Sequence, residues 1–582
     1  MAPLDTSIPH LVETNGAKQL VVNGKPFLML AGELQNSSLT SAEFMEDVWP
    51  RMKDSHFNTL LGCVTWEMIE REEDRFDFAE LDKVILGARR HGIHLVLLWF
   101  GSFKNGISTY APAWVKTDPK RFPRAKLRKA GGVLETADVV SIFHPAARAA
   151  DKKAFGRLLE HIKEVDAAHQ TVIMVQVENE TGLLGDSRDG SVHAEKVFNE
   201  AVPAELIDFL GTDWDKLNSE IKRQNLGFFR SKLEQSGTPP PSGATWEEVF
   251  GRSPKTDELF MAYHYAHYLD DVASAGKAAY PLPLYANVWQ NYNDLDTADN
   301  RWPVVVGGGG DPGTYPSGGA TSNVLDVWQR FAPSLDFVAP DVYLNDYEAS
   351  CVAYRHRGQA LFIPEQRRDE YGARRIWVAY GSHGCMGTAP FGCDTLGPGD
   401  ENPFTRHYGL LESVAPLVLE AQRKPGSSVG FFFDELPPGP SAADEHPLPD
   451  PSKSVVRHWG GYEVTIERCF VFGRPGDGAG MVVHQGGGRF LLIGYGFQVR
   501  AKATSARATF TGILRFEEKK AIAEKDGGVR LETLRTLNGD ETRSGAFAMM
   551  PGPSPDYGGF PICVTVPAKT MIAEVSFYHL EE

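Results

Sequence analysis

Polar side chains that can do chemistry appear where apolar runs stop. Glu33 closes VVNGKPFLMLAGE, Trp66-Glu67 closes LLGCVTWE and Asn179-Glu180 closes VIMVQVENE. Asn287 and Trp289 end LPLYANVW, Asp341 and Tyr343 end LDFVAPDVY, and Glu365 ends LFIPE. A carboxylate carried to the end of a buried run is costly unless it is paired or used. Two carboxyls delivered from different strands are what glycoside hydrolysis requires: one protonates the leaving oxygen and the other attacks the anomeric carbon. This chemistry implies no cofactor and no metal.

Other residues compete for these roles. Glu178 alternates with Glu180 along a strand, so it is expected to face the helix layer or an ion pair. Glu370 and the Asp434-Glu435 pair rival Glu365, but only Glu365 directly follows a strand within the repeating part of the chain. Trp66, Trp99 and Trp289 fit a sugar platform as well as a core. Glu33 and Glu67 fit sugar hydroxyls or internal salt bridges. Glycines 307–310 lack the following Gly-Lys-Ser/Thr of a phosphate loop and read as a surface loop. His383, Cys385 and Cys393 fall short of the four ligands of a zinc site. Two glycosylation sequons begin at Asn36 and Asn179; a glycan on the second would block the proposed acid, so the motif carries little.

The elements that must position these groups follow from periodicity. QLVVNGKPF places Asn23-Gly24 between apolar runs, a hairpin signal. In TSAEFMEDVWPRMKDSH, Thr40 and Glu43 have capping-box spacing; Phe44, Met45, Val48, Trp49 and Met52 share a helical face, with a kink expected at Pro50. Strand-like and helical segments then alternate up to VIMVQVENE. Later strands are expected at 282–289, 335–343, 359–365 and RIWVAYGSHG (375–384). Eight strands in a β-α rhythm predict an α/β fold, a (β/α)8 TIM barrel over residues 1–425, with an insertion near 183–280. Strand ends at the C-terminal face of such a barrel form its active site. DELPPGPSAADEHPLPDPS reads as a linker. Short β runs separated by glycine turns then predict an antiparallel β-sandwich over 426–582.

The chain has 582 residues, 42% of them hydrophobic, and a formal net charge of −17. Its acidity argues against nucleic acid or anionic membrane as a partner and suits a small-molecule carbohydrate substrate. Homo-oligomerisation stays open. Six dispersed cysteines without a CxxC pair do not suggest a disulfide scaffold. No leader peptide is visible at the start, so a cytoplasmic location is expected.

The chain resembles clan A of the glycoside hydrolases, in which an Asn-Glu pair ends the fourth strand and a Glu ends the seventh. Within that clan it resembles glycoside hydrolase family 35, the β-galactosidases. VQVENETG carries that family's Gln-x-Glu-Asn-Glu signature, GKPFLMLAGE its first strand and VTWE its second. WFGSFKNG, YAPAWVK and APDVY are similar to a branch with a β-rich C-terminal domain. The resemblance covers about residues 15 to 425. It departs at Thr181, where the family has an aromatic residue, and at Phe-Gly-Ser ending the third strand, where Asn-Ala-Glu is usual. The resemblance implies a retaining exo-glycosidase, a β-galactosidase, with Glu180 as acid/base and Glu365 as nucleophile. Asn179 is expected to hold the hydroxyl beside the anomeric centre, and Glu33, Trp66, Glu67, Trp289 and Tyr343 to bind the sugar. The alternatives are another clan A enzyme (β-glucosidase, β-fucosidase or α-L-arabinosidase) and a non-catalytic carbohydrate-binding protein.

Overall fold

The computed structural model describes residues 8–236, 241, 243–292, 309–435, 454–469, 476–525, 527–552 and 569–582. Eight strands run parallel: β1 (Met29–Glu33), β2 (Thr59–Thr65), β3 (His94–Lys104), β4 (Val172–Asn179), β5 (Leu284–Trp289), β6 (Phe337–Asp341), β7 (Ile363–Gln366) and β8 (Gly387–Pro390). Their order is β6-β5-β4-β3-β2-β1-β8-β7. A parallel bridge between Val342 and Gln366 closes the ring, with the Val342 amide donating to the Glu365 carbonyl at 2.9 Å. The fold is therefore the expected TIM barrel. Its interior is filled by Met29, Leu61, Leu98, Met174, Tyr285 and Phe362.

The chain enters through a three-stranded antiparallel sheet, His10–Thr14, Ala17–Val22 and Lys25–Phe27. Asn23 (φ 51°) and Gly24 (φ 73°) make its second turn. Both lie in the left-handed region that an Asn-Gly hairpin turn demands. Leu20 and Val22 from this sheet join the barrel's inner core.

Helices cover the barrel. The segment after β1 forms α1 (Ala42–Glu46) and α2 (Val48–Asp54) rather than one kinked helix. Pro50 has no amide hydrogen to give the Glu46 carbonyl, which explains the break. The cap is Ser41, whose hydroxyl accepts from the Phe44 amide at 3.1 Å, not Thr40. Met45, Val48, Trp49 and Met52 are buried, whereas Phe44 is 54% exposed and lies off that face. Helix α3 (Ala79–Arg90) precedes β3, and α4 (Pro145–Asp166) precedes β4. Short helices between residues 192 and 250 lead into the 26-residue α5 (Pro254–Ala279), whose buried face runs its full length.

One expected strand is a helix. Residues 375–383 belong to α6 (Glu370–His383), and the eighth strand is the short Gly-Thr-Ala-Pro segment that follows. The aromatic and β-branched residues of RIWVAYG suggest a strand. The ends decide otherwise: Asp369 caps the first turn by accepting from the Gly372 amide, and Gly384 (φ 62°) stops the last. Helix α7 (Phe404–Gln422) completes the layer.

The C-terminal strands are β9 (Ser428–Phe433), β10 (Val455–Trp459), β11 (Tyr462–Arg468), β12 (Gly478–His484), β13 (Arg489–Tyr495), β14 (Phe497–Ala503), β15 (Ala508–Ala523), β16 (Val529–Thr536), β17 (Ala548–Met550) and β18 (Ile572–Glu581). They form two antiparallel sheets, ordered β9-β12-β13-β18-β15-β16 and β10-β11-β14-β17. Val429, Phe431, Leu492 and Val575 of one sheet face Val464, Ile466, Phe497 and Val499 of the other in a shared core. That is sandwich packing. The opposite face of the larger sheet supplies Met481, Ile493 and Ile572 to the core under the barrel helices.

Most of the proline-rich linker (436–453), Gly307, Gly308 and Cys563 lie outside the described residues. The five described cysteines are buried, and Cys63, Cys351, Cys385 and Cys393 are free. Among the described residues no helix is long and apolar enough to cross a membrane.

Candidate active site

The C-terminal ends of the barrel strands surround a cleft of about 680 Å³. Glu180, Glu365, Asp341, Lys104, Trp289 and Tyr343 are among its walls. Glu180 sits just past β4, and it is there because the backbone turns sharply. Glu178 (φ 61°) and Glu180 (φ 43°) are both left-handed, a conformation that costs a non-glycine residue about 1–3 kcal/mol. Glu178 turns away from the cleft. Its carboxylate accepts from the backbone amides of Gly101 (3.2 Å), Ser102 (3.1 Å) and Phe103 (2.7 Å) on β3. It faces Asp151 of α4, and the two share a buried setting that pushes the Glu178 carboxyl well up, burial first and the Asp151 charge second.

Glu365 lies opposite. Tyr343 donates its hydroxyl to Glu365 Oε2 at 2.8 Å, and Asn179 and Asn287 each offer an amide to Oε1 at 3.4 Å. Asn287 ties the strand ends together: it donates to Asp341 Oδ2 at 2.8 Å and accepts from the Glu180 amide at 2.9 Å. One carboxylate oxygen each of Glu180, Asp341 and Glu365 lies within 4.8 Å of the others. That spacing would also suit a divalent cation. The donors from Tyr343 and Asn287 already serve Glu365 and Asp341, and the charge of the Lys104 ammonium acts on all three carboxyls.

Burial and neighbouring charges raise several of these carboxyls. Burial, then the negative charge of Glu365, lifts Glu180 to about 7, while Lys104 opposes the rise. Burial, followed by the charges of Glu365 and Glu180, pushes Asp341 well above the usual carboxylate range. Glu33 is pushed up in the same way by burial and then Glu365. Its two oxygens are buried and find no hydrogen-bond partner among the described residues, so an unsatisfied carboxyl lies beside the catalytic candidates. Burial and the Glu365 charge hold the Tyr343 phenol well above its ordinary value, which keeps it a donor.

The site gathers Glu33, Asn179, Glu180, Trp289, Tyr343 and Glu365. Trp66 and Glu67 stand apart. The Trp66 ring is fully buried against Trp114 and donates to Glu70 at 2.7 Å. Glu67 is half-exposed and pairs with Lys116 at 2.9 Å. Trp99 is a core residue whose indole donates to Asp151. Asp434 is taken by Arg375 in a two-pronged pair, at 2.9 and 2.7 Å. Among the described residues His383, Cys385 and Cys393 do not come together as a metal group.

Sequence reasoning assigned no role to Asn287, Asp341 or Lys104. The first two were visible as polar strand ends. Lys104 was hidden because β3 was expected to end at Ser102, whereas it runs on to Lys104. The signal for the longer strand was present: Asn105 (φ 51°) and Gly106 (φ 66°) form a hairpin turn in which Lys104 and Ile107 exchange backbone hydrogen bonds.

Comparison with known proteins gives this geometry a setting. Residues 37–220 match the glycoside hydrolase family 42 model, described as β-galactosidase, and residues 404–549 match a domain of unknown function, DUF5597. The expected family was 35. The match to family 42, whose model is also described as β-galactosidase, overturns that assignment. Three solved structures are similar in part. One is a β-galactosidase from Bacillus circulans sp. alkalophilus, 16% identical, TM-score 0.41, covering 68% of this chain and 57% of that one. Another is a family 42 β-galactosidase from G. stearothermophilus, 17% identical, TM-score 0.40, covering 65% and 52%. The third is the catalytic domain of β-amylase from Paenibacillus polymyxa, 12% identical, TM-score 0.44, covering 65% and 97%. The chain thus spans little more than half the length of either β-galactosidase. No curated protein matches it.

Proposed function

We propose that the chain is a retaining exo-β-galactosidase, with Glu180 as acid/base and Glu365 as nucleophile. The observation that carries this reading is the facing pair: carboxylate oxygens within 4.8 Å, one partner lifted to about 7 by burial and by the charge of the other. Retaining enzymes hold their carboxyls about 5–5.5 Å apart, and inverting enzymes about 6.5–9.5 Å, to leave room for a water. The match of residues 37–220 to a β-galactosidase family supports the sugar.

Glu365 attacks the anomeric carbon, and the bond to the leaving oxygen breaks as Glu180 donates its proton to it. Glu180, now ionised, takes a proton from water, whose oxygen displaces Glu365 from the anomeric carbon. Tyr343 and the amides of Asn179 and Asn287 hold Glu365 in line. Asn179 also reaches the hydroxyl beside the anomeric centre, and Trp289 offers the sugar an apolar face. The substrate class is a small carbohydrate. A non-catalytic sugar binder has no use for an acid poised near neutrality facing a second carboxylate.

The test is turnover of nitrophenyl glycosides. The β-D-galactoside is expected to be hydrolysed fastest in a panel that includes β-glucoside, β-fucoside and α-L-arabinoside. Glu365→Gln should lower kcat by at least about 10³-fold, the scale on which enzymes lose rate with their covalent step. Undiminished turnover in that variant removes Glu365 as nucleophile, and a faster non-galactoside removes the sugar assignment.

A further inference from the structure

We propose that Lys104 is a positioning residue of this site: its ammonium fixes the side-chain amide of Asn179 and supplies the positive charge against which Glu180 is set, and Glu178 holds the strand end that carries it. The inference deepens the proposed glycosidase reading and rests on Glu180 being its acid.

Lys104 Nζ donates to Asn179 Oδ1 at 3.0 Å. Since that oxygen is occupied by a cation, the other end of the same amide, Nδ2, must turn to Glu365, where it lies at 3.4 Å. A side-chain amide is ambiguous by itself, and an ammonium on one end removes the ambiguity because it can only donate. The Lys104 side chain is nearly buried, and its charge acts on carboxyls from four other strand ends: Glu33, Glu180, Asp341 and Glu365. Cys63 on β2 also feels it, and the Phe100 ring lies 5.0 Å from Nζ. The Tyr110 phenol feels the same charge, and the Tyr343 phenol is hydrogen-bonded to Glu365.

What brings Lys104 there is Glu178. The register between β3 and β4 slips between Trp99 and Lys104, so the ordinary ladder does not hold residues 100–103, and it resumes where Lys104 pairs with Asn179. In its place the Glu178 carboxylate gathers three consecutive β3 amides, and Lys104 follows at once. Glu178 is immediately followed in turn by Asn179 and Glu180. One side chain therefore locks the two strand ends that carry the acid, its amide neighbour and its counter-charge. Gly101 permits this, because a β-carbon there would meet Trp99, Glu178 and Asp151.

The experiment is the pH profile of kcat/KM on nitrophenyl β-D-galactoside, with melting temperatures as a folding control. Without the ammonium, Glu180 gives up its proton less readily. The basic limb should then move to higher pH by roughly half a unit to one unit in Lys104→Met, and kcat/KM should fall about 10²-fold. Lys104→Arg keeps the charge and should leave the limb in place. Glu178→Gln, which puts an amide hydrogen against the β3 amides, should shift the limb in the same direction as Lys104→Met. A folded Lys104→Met with an unmoved limb overturns the proposal. If that variant melts far below the wild type, Lys104→Gln reads the same question, since it can still donate to Asn179 but carries no charge; an unmoved limb there is equally fatal. A basic limb that persists in Glu180→Gln overturns the acid assignment instead, which separates the two failures.

Discussion

At the residue scale the site is a set of carboxyls forced together, and the protein's stability should record it. Glu180 binds its proton more tightly folded than unfolded, because burial and Glu365 lift it from an ordinary 4.5 to about 7. Below the unfolded value both states are protonated and nothing is lost. As pH rises from about 4.5 through 7, the unfolded chain ionises first, and the folded state loses about 2–3 kcal/mol relative to it. Glu180→Gln should therefore raise the melting temperature at pH 8 and leave it nearly unchanged at pH 4.5, even as activity falls; equal shifts at both pH values would contradict the assignment. Glu33 gives a second reading. Its carboxyl is 1% exposed, is pushed up by burial, and has no protein partner among the described residues. Glu33→Gln should leave or improve stability but raise KM for a galactoside about tenfold or more, the price of losing one hydrogen bond to a sugar hydroxyl. An unchanged KM would mean that the Glu33 carboxyl does not touch substrate. These carboxyls were legible in the sequence because each ends an apolar run. Trp66 and Glu67 met the same criterion and lie outside the cleft, because the chain turns into a short helix directly after Thr65 and carries both off the barrel axis. A strand-end position fixes the rim, not the direction of the side chain.

At the element scale the sequence showed periodicity well and competing end signals poorly. Residues 375–384 look like a strand by composition, yet Asp369 and Gly384 mark a helix cap and stop, and the true eighth strand has only Gly-Thr-Ala-Pro. Such a strand is short and weakly apolar; it forms because β1 and β7 flank it and leave a gap in the ring. The helix that displaced it has a demanding contact. Gly430 of β9 lies so close to α6 that an added β-carbon would run into the Trp377 carbonyl, and Gly381 of α6 meets Gly430 from the other side. Two facing glycines let a helix backbone lie directly on a sheet backbone. Gly430→Ala should therefore destabilise the protein by about 2–4 kcal/mol, seen as a lower denaturation midpoint, because the helix can move only by opening the core beneath it. A midpoint within error of wild type would mean that the helix slides without cost.

At the scale of the whole molecule the barrel and the sandwich share a core. The larger sheet has two buried faces: Val429, Phe431 and Leu492 point to its partner sheet, and Met481, Ile493 and Ile572 point to the barrel helices. Arg374 and Arg375 of α6 reach Asp434 and Asp477 across the same boundary; their guanidinium groups are nearly buried, so the pairs are shielded from screening by salt. The sequence foretold two architectures but not this contact, because an apolar residue in an alternating strand does not say which of two covered faces it serves. The arrangement predicts one cooperative unfolding event. Calorimetry on the full chain should give a single transition whose van't Hoff and calorimetric enthalpies agree, despite two sheet architectures. A chain truncated after residue 425 keeps every residue of the cleft, yet it leaves α6 and α7 without the sheet that covers them. An apolar face of this kind exposed to water drives association. The truncated chain is expected to be recovered mainly as aggregate, or to melt well below the full chain. Two separate calorimetric transitions in the full chain, or a soluble truncated barrel with wild-type kcat and melting temperature, would show that the sandwich is an appendage and that the shared core contributes little.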